Sequence, residues 1–293
     1  MAPMNFDYGE FTTRNLGFVT AEEQARLRKA EVFVAGVGGM GGACVQALAR
    51  AGVGRLILAD VDEFETSNLN RQVFAFTDTV GRAKAQATAE AIRRINPQAE
   101  VQVLGAEWTD HLGDIAARCK ILVNGCDDIP ATIHLYRTAQ AQGASVIDAY
   151  AAPLPSVILV RPGDPRPEAR LGYPTRGQDW RAITPEAARA AFMKEIEYVL
   201  THSSAHRHVD LAMAAEMAAG KRKRMSFAPM VITTGCLLAY EALSLATGRP
   251  SRTDFRGWFF NPYDLKVERP VPAPIAAVKR ALVRRFMAKL LAK

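Results

Sequence analysis

Residues 31–84 hold the feature that most constrains the fold. A buried-strand pattern at 32–34 runs directly into Gly36-Val37-Gly38-Gly39-Met40-Gly41, and a helix pattern follows. A second strand pattern at 56–58 then ends on Asp60 and Asp62. Glycines let a backbone turn sharply and approach a ligand closely. The helix that follows presents free N–H groups and a positive dipole end to phosphate. Strand, glycine turn, helix, strand and acid make a nucleotide-binding βαβ unit. That much also fits an NAD-binding dehydrogenase or scaffold. The next block, Ser67-Asn68-Leu69-Asn70-Arg71-Gln72, and then Lys84, add two cations that a redox dinucleotide fold does not require. Arg71 can fork onto phosphate oxygens, and Lys84 can meet β and γ phosphates as a point charge. The pattern points to a triphosphate that is cut. Each cation alone would also fit a surface ion pair or a solvated helix face.

The rest of the chain extends the alternation. A helix is expected over 18–30, with Thr20 and Glu23 spaced as a capping box. Another is expected over 82–95, stopped by Asn96-Pro97. Strands are expected at 101–104, 121–123, 145–148 and 156–160, with a helix at 129–142. This order predicts an α/β fold: a doubly wound, Rossmann-like, mostly parallel sheet with helices on both faces. Residues 161–180 read as loop, and helices follow near 185–200 and 209–219. A buried helix is expected at 229–247, ended by Gly248, then a hairpin over 257–267 and a C-terminal amphipathic helix from about Ala273. The expected organisation is a nucleotide-binding half at 10–150, a crossover loop and substrate-binding half at 151–270, and a basic helix at 271–293.

The chain has 293 residues, and its N-terminus lacks the basic and apolar regions of a signal peptide. No run reads as the roughly 20 apolar residues of a membrane span. The expected compartment is the cytoplasm, with peripheral membrane attachment as an addition. Cys44, Cys119, Cys126 and Cys236 form no CxxC pair, so neither a structural zinc site nor a disulfide framework is expected. The net charge of +7 favours acidic partners such as ATP, nucleic acid or anionic membrane without choosing among them.

GVGGMG, the DVDEFETSNLNRQ block and GRAKA opening the next helix together resemble the ubiquitin-activating-enzyme-like adenylyltransferases, the ThiF/MoeB/HesA family. The resemblance covers about residues 10–150, with a weaker echo at 229–247. It implies ATP and Mg²⁺ as cofactors and adenylation of a carboxylate with release of pyrophosphate. The substrate most often implied is the C-terminus of a ubiquitin-like or sulfur carrier protein. Gly36, Gly38, Gly39, Gly41, Asp60, Asp62 and Asn70 would then bind the nucleotide, with one of the two acids on the ribose. Arg71 and Lys84 would contact phosphates, and Asp127 would hold Mg²⁺. Arg14, in TTRNLG, resembles an arginine that reaches into the partner subunit's site, which implies a homodimer.

The chain departs from the family pattern in three places. Residues 150–230 contain no cysteine, so no enzyme thioester is expected. The zinc-binding CxxC pairs are missing. The family's DxxDN reads here as Asn124-Gly125-Cys126-Asp127-Asp128, an amide replacing the first acid. The same chemistry on a tRNA-modification or natural-product carboxylate is therefore an alternative. Cys126 is expected to be a partly buried strand-end thiol. His202, His206 and His208 are expected to be solvated helix-end residues, although 202 and 206 are spaced for two metal ligands. In the C-terminal helix Ile275, Val278, Leu282, Phe286 and Leu290 form one stripe flanked by Lys279, Arg280, Arg284, Arg285 and Lys289. Docking of that stripe on the sheet is expected, with anionic membrane and nucleic acid as alternative partners.

Overall fold

A strand buried on both faces must send alternate side chains into two separate cores. The computed structural model, which describes residues 5–291, shows this division. Residues 1–4 of the N-terminal reading and 292–293 of the C-terminal helix lie outside the described residues. The chain opens with α1 (Tyr8–Thr12) and α2 (Ala21–Lys29), then β1 (Glu31–Ala35), α3 (Gly39–Arg50) and β2 (Arg55–Ala59). It continues through α4 (Lys84–Ile95), β3 (Glu100–Leu104), α5 (Trp108–Arg118), β4 (Ile121–Asn124), α6 (Ile129–Ala141), β5 (Ser145–Asp148) and β6 (Ser156–Val160). The crossover region holds α7 (Pro167–Leu171), α8 (Pro185–His202) and α9 (Leu211–Ala218). Last come α10 (Ala228–Thr247), β7 (Trp258–Asn261), β8 (Lys266–Glu268) and α11 (Ala273–Leu291). Along β1, Val32 and Val34 join one core with α3, α4 and α10, while Phe33 and Ala35 join the other with α5 and α6.

The sheet has eight strands in the order β3-β2-β1-β4-β5-β6-β7-β8. The first five are parallel, and β6, β7 and β8 extend the edge antiparallel. Because β2 and β4 flank β1 on opposite sides, the strand order reverses at β1: the chain runs outward from β1 to β2 and β3, then crosses back to β4. The carboxyl ends of β1 and β4 therefore border a crevice, where doubly wound sheets bind ligands.

Local signals set several boundaries. The Thr20 hydroxyl accepts from the Glu23 N–H, and the Glu23 carboxylate accepts from the Thr20 N–H, completing the capping box of α2. Arg249 then grips the same Glu23 carboxylate with two hydrogen bonds of 2.6 Å, tying α2 to the end of α10. Helix α10 ends at Gly248 in the left-handed conformation. It packs against α3 so closely that a Cβ on Gly235 would stand 2.5 Å from the Ala43 Cβ. Contrary to the sequence reading, α10 is long and apolar enough to cross a membrane by length and composition. Here its Val231, Leu238, Ala239 and Ala242 are buried in the fold.

Three other expectations are corrected. Helix α5 has no counterpart in the sequence reading. Its Trp108, Leu112, Ile115 and Ala116 follow helical spacing, but no side chain caps its start and Gly113 interrupts it. Residues 161–180, read as loop, contain α7. The stripe of α11 does not dock on the sheet. The helix packs on α8 and α9 instead, turning Ala276, Val283, Met287 and Leu290 inward and leaving Ile275, Val278 and Leu282 exposed.

Candidate active site

The glycine turn sits at the carboxyl end of β1, beside the loop that leaves β4. Ala35 pairs with Asn124, and the Gly125 N–H donates to the Ala35 carbonyl at 2.6 Å. Gly36 has φ +80°, and a Cβ there would come within 2.6 Å of the Gly125–Cys126 backbone. A Cβ on Gly41 would stand 1.8 Å from the Gly36 carbonyl oxygen. These two glycines let the turn fold beneath the β4 loop. Gly38 precedes α3 and offers no side-chain cap, and Gly39 begins the helix. The first N–H groups of α3 thus have no side-chain cap among the described residues, an arrangement suited to phosphate.

Asp60 and Asp62 have different surroundings. The Asp60 carboxylate accepts from the Val37 N–H at 2.8 Å and from the Asp62 N–H at 3.0 Å. It clamps the glycine turn to the end of β2. Burial raises its pKa, with the two backbone hydrogen bonds opposing. Asp62 accepts instead from Lys84 Nζ at 2.8 Å. Lys84 is the first residue of α4 and its side chain is only 9% exposed, whereas that of Asp62 is 64% exposed. An ammonium has three donors. Asp62 takes one and leaves two.

Arg71 and Asn70 form a unit: Arg71 Nη1 donates to the Asn70 side-chain oxygen at 2.9 Å and to the Ser67 carbonyl at 2.7 Å. The segment is folded by a short 3₁₀ turn in which buried Asn68 accepts from the Glu65 N–H. The sequence reading gave no role to Gln72. It is buried against Gly38, and its Oε1 has no partner among the described residues. Its position next to Arg71 was the available signal. The basic cluster at 221–224 also comes near, with Lys223 Nζ 3.6 Å from Glu65.

After β4, the two aspartates divide their work. Asp128 caps α6 by accepting from the Ala131 N–H at 2.7 Å. Asp127 is exposed and makes no hydrogen bond or ion pair among the described residues. A carboxylate without a partner among the described residues, beside the glycine turn, fits Mg²⁺, which takes one or two carboxylates and completes its shell with water and substrate phosphates. No group of three or more His, Cys, Asp or Glu side chains among the described residues is arranged to hold a metal without a ligand.

Asn124 faces inward. Its amide donates to Asp148 Oδ2 at 3.1 Å, and Tyr136 Oη donates to the same oxygen at 2.8 Å. Burial pushes Asp148 up to about 7. Cys126 Sγ donates to the Asn124 side-chain oxygen, and burial pushes this thiol up to about 12, far from a nucleophile's range.

Arg14 lies elsewhere. It is exposed, and the adjacent Asn15 donates to the Ala51 carbonyl at the far end of α3 from the glycine turn. The helix between Gly38 and Ala51 spans about 20 Å at 1.5 Å per residue. Of the three histidines, His202 corrects the sequence reading. His202 is buried, its Nδ1 accepts from the Val271 N–H, and burial lowers its pKa to about 4. His206 is exposed, and His208 stacks on Tyr263.

Comparison with known proteins fits this geometry. The tRNA threonylcarbamoyladenosine dehydratase of Haemophilus influenzae is 41% identical over 85 residues, 29% of this chain and 33% of that protein. The SAMP-activating enzyme E1 of Haloferax volcanii is 34% identical over 130 residues, 44% of this chain and 48% of that protein. The chain thus spans a third to about half the length of these curated relatives. Among solved structures, the Escherichia coli tRNA N6-threonylcarbamoyladenosine dehydratase in complex with AMP shares the fold. Its TM-score is 0.60 at 18% identity, covering 84% of this chain and 98% of that one. The ThiF family model matches residues 12–277, so the chain belongs to the ThiF family.

Proposed function

We propose that this chain adenylates a carboxylate with ATP and releases pyrophosphate. The observation that carries the reading is Lys84, a buried ammonium with one of three donors engaged, beside the uncapped start of α3. A nicotinamide dinucleotide would need no such cation, which weighs against a redox or scaffold role. A carboxylate oxygen attacks the α-phosphorus, the bond to the bridging oxygen breaks, and pyrophosphate leaves with its electron pair. No general base is required, since a carboxylate is already anionic at neutral pH. Lys84 and Arg71 neutralise charge on the phosphates, and the α3 N–H groups hold them in line. Asp60 or Asp62 would accept from the ribose. Asp127 would hold Mg²⁺, which when bound draws charge from the phosphate oxygens.

The substrate proposed first is the C-terminus of a small carrier protein, as the name of the Haloferax volcanii relative suggests. The second is a carboxylate of a tRNA modification, favoured by the Haemophilus influenzae relative and by the net charge of +7. Residues 150–230 contain no cysteine and the Cys126 thiol is held protonated, which supports direct transfer from the acyl-adenylate. Arg14 stands about one helix length from its own glycine turn, beyond the reach of its side chain. This supports a homodimer in which it serves the partner's site.

ATP–pyrophosphate exchange with candidate carboxylates tests the reading. Exchange should depend on the carboxylate and vanish in Asp127→Ala. Tight NAD binding with no exchange from any candidate would sink it. Mixing Arg14→Ala with Lys84→Met subunits should restore exchange if the arginine acts across the dimer.

A further inference from the structure

Helix α11 carries two apolar stripes, and the fold uses only one. At 3.6 residues per turn, Ala276, Val283, Met287 and Leu290 fall within an arc of about 60°. This arc faces α8 and α9. Ile275, Val278, Leu282 and Phe286 fall within a second arc of about 80°, turned about 110° from the first, with Phe286 at the edge and also lining the cavity between α11, α8 and α9. These four side chains are 52%, 66%, 61% and 37% exposed. A helix that had only to dock on the domain would carry polar residues there.

The charges around the second stripe are one-sided. Arg280 and Arg284 are spent on Glu197. Lys279 and Arg285 lie at the two edges of the exposed stripe, Lys289 lies within it, and none makes an ion pair among the described residues. The run from 271 to 293, VPAPIAAVKRALVRRFMAKLLAK, holds six cations and no carboxylate side chain.

We infer that this face of α11 lies on an anionic phospholipid bilayer. Aliphatic side chains would enter the acyl boundary, and Lys279, Arg285 and Lys289 would meet the headgroup phosphates. The chemistry favours this occupant over the others. A second copy related by a twofold axis would bring the same cations face to face. Nucleic acid would engage the cations but gain nothing from a central aliphatic stripe. A binding peptide needs a groove, and the exposed side of a surface helix is convex. The inference does not rest on the adenylation reading.

Vesicle sedimentation of the full chain tests it. The protein should pellet with vesicles of mixed phosphatidylcholine and phosphatidylglycerol and stay soluble with phosphatidylcholine alone. The double variant Val278→Asp, Leu282→Asp should lose the binding while its circular dichroism melt stays unchanged, because both side chains are exposed. The triple variant Lys279→Ala, Arg285→Ala, Lys289→Ala should bind about a hundredfold more weakly, about fivefold per cation removed. Failure to pellet with anionic vesicles overturns the inference, as does binding that survives Val278→Asp, Leu282→Asp. Retention of tRNA through the three cations without vesicle binding assigns the face to nucleic acid and overturns it equally.

Discussion

Lys84→Met separates a phosphate-binding lysine from a structural ion pair. Methionine keeps most of the buried stem of Lys84 and removes its charge. The partner left behind, Asp62, is 64% exposed and can be solvated by water. An ion pair with one exposed member contributes about 0–1 kcal/mol. The variant should therefore melt within about 4 °C of the parent. The loss on the ligand side is larger. A hydrogen bond to a charged group contributes about 1.5–3 kcal/mol, which corresponds to about tenfold to a hundredfold in affinity. Lys84 is proposed to meet the β and γ phosphates, so ATP should bind about tenfold to a hundredfold more weakly. AMP, which lacks those phosphates, should bind within about twofold of the parent. Calorimetric titration with each nucleotide, beside a thermal melt, measures all three quantities. Equal loss for ATP and AMP, or ATP affinity unchanged with a lowered melting temperature, would refute the assignment and leave Lys84 a structural residue.

Other substitutions probe the scaffold of the site. Gly41→Ala forces a Cβ to within 1.8 Å of the Gly36 carbonyl and should cost more than about 4 kcal/mol in urea unfolding. Asn124→Asp replaces the amide that donates to Asp148 with a second buried carboxyl and should destabilise by about 3 kcal/mol at neutral pH, read by the same method. Asp148 itself gives a pH signature. Its folded pKa of about 7 lies well above the ordinary aspartate range, so the folded state binds the extra proton. This group should lower stability as pH rises from about 4 to about 7, visible in urea midpoints. Glu23 acts in the opposite sense. The Arg249 hydrogen bonds hold it near 2, so its contribution is present above its unfolded pKa and lost as pH falls through about 2. Arg249→Met should remove that acid-limb loss from the pH dependence.

Much of the fold was readable because its signals are local. The capping box of α2 needs only Thr20 and Glu23 three residues apart. The strand-turn-helix unit needs only apolar residues followed by glycines. Helix α5 escaped because it lacks a cap and contains a glycine, although its apolar spacing was present. His202 looked like a solvated helix-end residue because sequence does not reveal that the segment at 271 folds back over it.

Short-range sequence was enough to specify the βαβ unit and the alternation that buries both faces of the sheet. Those depend on backbone conformation and periodicity over a few residues. Long-range packing set how Asp60 and Asp62 divide their work, because one meets the Val37 N–H and the other meets Lys84. It left Asp127 without a partner among the described residues while Asp128 caps a helix. It also selected which stripe of α11 is buried, since both satisfy helical spacing and only the placement of α8 and α9 distinguishes them.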